Sequence, residues 1–301
     1  MTKEDKFDIL FETIQQADYV LIGAGAGLSA AGGISFADEK IYKQYYPYWF
    51  ARGLRSEYQM FSFRDWTKAQ EWAYMAKHVC RVRYDMPPLE LYRDLKKILD
   101  GKDYYVLTSN VDRQFFRNGF PRDRVFEYQG AYDWLYCSEA CSAKVWDFEP
   151  VARQMVERIR EEDFSVPVET FPVCPNCGAP LRLAFRDYED YAEAKMRYNQ
   201  WLEHTKDGLL CIIEMGVGFN SPGVIRVPFE RITGERDKEK VKFFRITVDY
   251  PDSEEEIAYP EIPRPIEDKS LSLNYDLAEV IAALLEKKEN LRKIEKKLDN
   301  L

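Results

Sequence analysis

Four cysteines in two close pairs constrain this chain more than any other feature. They stand as Cys137-x3-Cys141 and Cys174-x2-Cys177, the second inside Cys174-Pro175-Asn176-Cys177-Gly178, where Pro and Gly shape a tight loop. Two such pairs can surround a tetrahedral zinc ion, and four thiolates close its shell, leaving no position for a catalytic water. The zinc is therefore predicted to be a structural staple, with the chemistry elsewhere. Of the six cysteines, Cys80 and Cys211 remain, in a helical context and in an apolar run; both are predicted to be buried and unreactive. A secreted disulfide framework is the competing reading. The opening Met1-Thr-Lys-Glu-Asp-Lys lacks the basic-then-apolar run of a signal peptide, and no segment approaches a membrane span. A reducing cytoplasm with zinc-bound thiolates is the better account.

The chain around the cysteines reads as alternating strands and helices. Asp18–Ile22, Tyr104–Thr108, Leu209–Ile213 and Phe243–Val248 are compact apolar runs, each ending in glycines or polar residues. That is the signature of a parallel sheet with ligand-binding loops at its carboxyl edge. Helical spacing covers residues 4–17, 64–82, 87–99 and 276–301, and the hydrophilic stretch 251–269 reads as a loop. The predicted fold is α/β: a Rossmann-like parallel sheet with an inserted small zinc-ribbon and helical module. Residues 1–130 and 204–301 are assigned to the Rossmann-like nucleotide-binding domain, and 131–203, with Trp134, Trp146 and Trp201, to the insert. At 301 residues the chain is long enough for both. A formal charge of −9 argues against non-specific binding to nucleic acid.

Three segments carry candidate chemistry. Gly23-Ala-Gly-Ala-Gly-Leu-Ser29 follows a strand and opens a helix, so its glycines would let the backbone approach a pyrophosphate. A dehydrogenase would need a second strand ending in an acid some 20 residues later. The interval from Asp38 is polar and aromatic instead, which removes that support. Thr108-Ser109-Asn110-Val111-Asp112 ends the second strand, where Asn and Asp can hold a ribose or merely cap a helix. Glu127-Tyr128-Gln129-Gly130 immediately precedes the first thiol pair.

In this order, with Gly216-x-Gly218 ending a late strand, these segments resemble the sirtuin family over residues 18–250. Its corresponding stretches read Gly-Ala-Gly-x-Ser, Thr-Gln-Asn-Ile-Asp and Glu-x-His-Gly, followed by two Cys pairs. The resemblance implies NAD as co-substrate, a structural zinc on Cys137, Cys141, Cys174 and Cys177, and cleavage of the nicotinamide–ribose bond. It also implies roles. Asn110 would hold the nicotinamide ribose, Asp112 would orient the nicotinamide end, and Gln129 would contact ribose hydroxyls. Ala26, Gly27 and Ser29 would line the pyrophosphate, Gly216 and Gly218 would face the ribose and phosphates, and Gly25, Ser109, Asn220 and Asp249 are further cofactor-binding candidates.

The departures matter as much. Ser35-Phe36-Ala37-Asp38 stands where sirtuin deacylases have Pro-Asp-Phe-Arg, and Gln129 replaces their catalytic His. An amide can orient a hydroxyl but has no usable basicity near neutral pH, so efficient deacylation is not expected. The two histidines, His78 and His204, lie outside the motifs and are predicted to be structural. An already ionised acceptor, such as a carboxylate, needs no base to add at the ribose carbon. The pattern is similar to the macrodomain-associated (class M) sirtuins, which implies mono-ADP-ribosylation of a lipoylated carrier resembling the glycine-cleavage H protein. A macrodomain hydrolase in the same pathway and an oxidative-stress setting are implied with it. Weak lysine deacylation, NAD hydrolysis without an acceptor, and non-catalytic NAD or ADP-ribose sensing stay open as alternatives.

Overall fold

The computed structural model describes residues 1–184, 188–218, 222–248 and 262–298. Nine strands fall in two sheets among these residues. The main sheet is parallel throughout, in the order β3 (Val125–Glu127), β2 (Asp103–Thr108), β1 (Tyr19–Ala24), β7 (Leu210–Met215), β8 (Val241–Ile246), β9 (Ser270–Leu273). This is the 3-2-1-4-5-6 order of a dinucleotide-binding sheet, whose switch point lies between its first and fourth strands, here β1 and β7. The small sheet is antiparallel, with β4 (Trp134–Cys137) between β5 (Val145–Asp147) and β6 (Leu181–Ala184).

Burial on both faces explains why the central strands are apolar without alternation. Val20, Ile22 and Ala24 of β1 enter one core with Val106, Ile213 and Phe244, while Leu21 enters the opposite core with Tyr105, Leu107, Ile212 and Phe243. Every residue of β7 is buried. Among them, Glu214 is held by Arg245 at 3.0 Å and Arg226 at 3.3 Å, so the carboxylate is ion-paired inside the sheet.

The structure redraws the expected boundary of the insert. Helix Tyr188–His204, assigned by sequence to the zinc module, lies on the main sheet. Trp201 Nε1 donates to Asp103 at 2.8 Å, and the Tyr105 ring meets Tyr198 at 5.5 Å and Trp201 at 5.4 Å. Conversely, the helices before β2 pack onto the insert: Trp72 meets Phe148, and Phe164 meets Tyr46, Tyr48 and Trp49. Aromatic packing, not sequence proximity to the cysteines, sets the division. The stretch 264–269, read as loop, includes the short 3-10 helix Arg264–Lys269, while 249–261 lies outside the described residues. No described helix is long and apolar enough to cross a membrane.

Candidate functional site

A cleft of about 550 Å³ opens at the carboxyl edge of the main sheet, above the β1–β7 switch point. That volume lies within the range of small-molecule and cofactor sites. Its floor is a glycine seam. The Gly25 amide donates to Met215 O at 3.0 Å and the Gly27 amide to Gly216 O at 2.9 Å, so the two strand-end loops are joined backbone to backbone. A Cβ on Gly25 would sit 2.5 Å from Gly216 O, and one on Gly27 would sit 2.6 Å from Gly216 Cα. Gly216 itself holds a φ of 59°, in the left-handed region. The seam by itself requires glycine at 25, 27 and 216.

Ala26, Gly27, Ser109, Asn110, Asp112, Gln129, Gly216 and Gly218 all line the cleft. Gly25 and Ser29 stand behind this lining. Gly25 is occupied by the seam and by Asn110, and Ser29 is 1% exposed with its hydroxyl turned inward. Asn220 and Asp249 lie outside the described residues; Thr247 and Val248 line that end of the cleft. Asp276, not singled out from sequence, lines it too and caps the last helix through the Ala278 amide at 2.8 Å.

Asn110 is oriented unambiguously. Its Nδ2 lies 3.0 Å from Gly25 O, 3.0 Å from Ser29 Oγ and 3.2 Å from Tyr92 Oη. The amide therefore spends its donors inward, and Oδ1 is the acceptor left to the cleft. Ser29 Oγ donates to Asp112 Oδ2 at 2.6 Å and stands 2.7 Å from Tyr92 Oη, which forms a hydroxyl chain running from Tyr92 to the carboxylate. The Gln114 amide donates to Asp112 Oδ1 at 3.0 Å. Burial raises the pKa of Asp112, and the Ser29 and Gln114 donors act against it.

Tyr92 is a residue that sequence reasoning missed. It lies on helix Glu90–Ile98, and nothing in its local pattern distinguishes it from a core aromatic. Tyr92→Phe should lower the turnover of NAD about 10-fold, with KM moving less, because Asn110 and Asp112 lose alignment rather than contact with substrate. Steady-state nicotinamide release measures the split, and melting of the variant measures the accompanying loss of stability.

Gln129 is set by an ionic knot. Arg113, at φ 61°, pairs with Glu127 and with Asp133 at 2.7 Å, and Asp133 also takes Arg83 at 2.8 Å. The knot ties the Asp112 loop to the Glu127–Gly130 loop, and Gly130 turns at φ 78° to present Gln129. Burial pushes the Glu127 carboxyl up to about 8, against the pull of Arg113. Beyond Gln129 the wall is aromatic: Phe36 meets Tyr58 at 6.1 Å and Phe61 at 6.0 Å. Asp38, from the segment that departs from the deacylase pattern, caps its helix through the Lys40 and Ile41 amides at 2.8 and 2.9 Å.

The four cysteines converge away from the cleft. Their sulfurs lie within 4.8 Å of one another, with Cys137 to Cys177 and Cys141 to Cys174 each 3.5 Å. A tetrahedron of sulfurs at ~2.3 Å from zinc has edges of ~3.8 Å, whereas a disulfide would need ~2.05 Å. The donor set fits structural zinc and not a pair of disulfides. Two tight turns present it: Gly178 at φ 74° closes the second, where the Cys174 amide donates to Ala179 O at 2.7 Å. The zinc would cross-link the two turns and hold β4 to the loop before β6.

Among solved structures, the chain is similar to an ADP-ribose complex of a Sir2 homologue mutant, with a TM-score of 0.58 and 18% identity over 95% of this chain and 98% of that one. It is also similar to a Sir2 homolog–NAD complex, with a TM-score of 0.56 and 17% identity over 94% of each. The fold is that of the Sir2 homologues. Among curated proteins, the chain is 28% identical to protein ADP-ribosyltransferase of Staphylococcus aureus (strain Mu50), over 94% of this chain and 88% of that one. It is 31% identical to a probable bifunctional ADP-ribose hydrolase/ADP-ribosyltransferase of Fusarium oxysporum f. sp. cubense, over 95% of this chain and 48% of that one. The chain thus spans about half the length of that fungal relative. No protein-family model matches it.

Proposed function

We infer that this protein cleaves NAD at the nicotinamide–ribose bond and transfers the ADP-ribose to a protein side chain. One observation carries the reading. Gln129 stands in the cleft with Asn110 and Asp112, and no histidine lines that cleft among the described residues. The groups that hold and polarise the ribose are therefore kept, while the base that a deacylase needs at this position is not. Both curated relatives are named for ADP-ribosyl transfer, which agrees with that division.

In this reading Asn110 Oδ1 accepts from a ribose hydroxyl and fixes the sugar, and Gln129 orients the neighbouring hydroxyl. The Asp112 carboxylate faces the positive charge that grows on the ribose as nicotinamide departs. The acceptor is a lipoylated carrier resembling the glycine-cleavage H protein, in a cytoplasmic, class M-type pathway where a macrodomain hydrolase removes the mark. The fungal relative's name joins a hydrolase and a transferase in one chain, which supports that pairing. Incubating the protein with NAD and a lipoylated H-like carrier should add one ADP-ribose to the carrier, seen by mass spectrometry. An unmodified carrier in the presence of active NAD cleavage would refute the acceptor. Absence of an adduct on any carrier, together with removal of acyl groups from lysine peptides, would refute the transfer.

A further inference from the structure

A second cavity, of about 310 Å³, lies apart from the cleft and shares none of its lining residues. It forms where helix Lys68–Val79 runs into the π-helical turn Cys80–Asp85. A π-turn bonds at i+5 rather than i+4, so it brings Arg81 and Met86 towards one face; such turns recur at functional sites. Lys77 stands one turn before Arg81, which places these two cationic residues about 6 Å apart at Cβ. Both line the cavity, and Tyr45, Pro87 and Val156 close it with Met86.

Neither cation is fully matched. Arg81 is 5% exposed, with its guanidinium 5.3 Å from the Tyr45 ring. It pairs with Glu57, the carboxylate that also holds the buried His78 ring, yet its Nε is buried without a hydrogen-bond partner among the described residues. A buried N–H of this kind calls for an acceptor. Lys77 forms no ion pair among the described residues, and its ammonium rests on the Phe164 and Tyr46 rings at 5.7 and 6.0 Å. Burial lowers its pKa, with the Glu161 charge acting against that. Asp85, the acid on the wall, is taken by Arg153 at 2.8 Å. With Glu57 set against Arg81 and Arg153 against Asp85, the cavity keeps the positive charge of Lys77. We propose that it binds a small organic monocarboxylate, held at its carboxylate by Lys77 and Arg81 and along its body by Met86, Pro87 and Val156. Guanidinium N–H groups suit a planar carboxylate. A monoanion matches the surplus charge, whereas a phosphate dianion would set a second negative charge beside Glu57 and Asp85. The volume is at the small end of ligand sites, which suits a body of one ring rather than a dinucleotide.

The site does not depend on the transfer reading, so its test reads binding and not turnover. Benzoate is the probe for the full chain, with benzamide as its uncharged match and phenyl phosphate as the dianion. Calorimetry should show one benzoate per chain with a Kd on the order of 10⁻⁴ M, and saturating NAD should shift it less than about twofold. Arginine Nε–Hε spectra, in which Arg81→Lys identifies the Arg81 signal, should show that signal move with benzoate. Lys77→Met alters a half-buried side chain outside the Glu57 pair, and it should weaken benzoate at least ~10-fold. Benzamide should not bind, and phenyl phosphate should bind more weakly than benzoate. No benzoate binding at millimolar concentration, displacement of benzoate by NAD, or an unchanged affinity in folded Lys77→Met would overturn the site. Equal binding of benzamide would overturn it too, and tighter binding of phenyl phosphate would overturn the monocarboxylate class.

Discussion

Asn110→Ala should lower nicotinamide release from NAD by about 10³-fold while leaving the protein folded. The size of the effect follows from how the side chain is held. Three inward acceptors (Gly25 O, Ser29 Oγ and Tyr92 Oη) lie within 3.2 Å of one Nδ2, so the carbonyl presented to the cleft needs no reorganisation when the sugar binds. Alanine removes that carbonyl and unfastens Asp112's neighbour at the same time. Asn110 is only 8% exposed, so a modest fall in melting temperature should accompany the loss. Nicotinamide release under saturating NAD, beside melting with and without NAD, separates the two effects. Tight NAD binding with no nicotinamide release, unaffected by the substitution, would favour a non-catalytic NAD-sensing role.

The second large effect concerns the staple. Zinc bound by four thiolates contributes folding free energy directly, on the order of 10 kcal/mol in small zinc modules at neutral pH. Elemental analysis should find one zinc per chain, and a strong chelator or Cys174→Ser should lower the melting temperature by more than about 10 °C. Cys174 is the sharper choice because it is buried, whereas Cys141 and Cys177 are exposed. The loss should begin in the small sheet, since Cys137 ends β4 and the Ser138 amide donates to Pro180 O at 3.0 Å. Stability unchanged by complete removal of zinc would show that β4, β5 and β6 hold without it.

The strands at the centre of the sheet were legible because they are buried on both faces and so run apolar without a break. β3 and β9 were not, because Val125–Glu127 is three residues long and Ser270–Leu273 alternates Ser with Leu at the sheet edge. The thiol pairs announced the metal site by spacing alone, yet they drew helix Tyr188–His204 into the wrong unit, since Trp201 looks equally at home in either core. The glycine motif marks a loop that lines the cleft, and it also carries a packing demand. Gly25, Gly27 and Gly216 are required by backbone contact across the switch point, a pairing between residues some 190 positions apart. Ser29 is comparable: its motif position is clear, but only the fold shows the hydroxyl facing Tyr92 and Asp112. Tyr92 was invisible because its partners Ser29 and Asn110 lie far away in sequence, and a lone aromatic on a helix normally signals packing.

Gln129 is where the account is most exposed, because the residue separates ADP-ribosyl transfer from deacylation. The direct measurement is nicotinamide release by the wild-type chain with and without an acylated lysine peptide, run beside mass spectrometry of a lipoylated carrier protein. The account predicts that the peptide leaves the rate unchanged and that ADP-ribose accumulates on the carrier. Nicotinamide release that depends strictly on the peptide, with acyl groups removed and no ADP-ribose on protein, would contradict it.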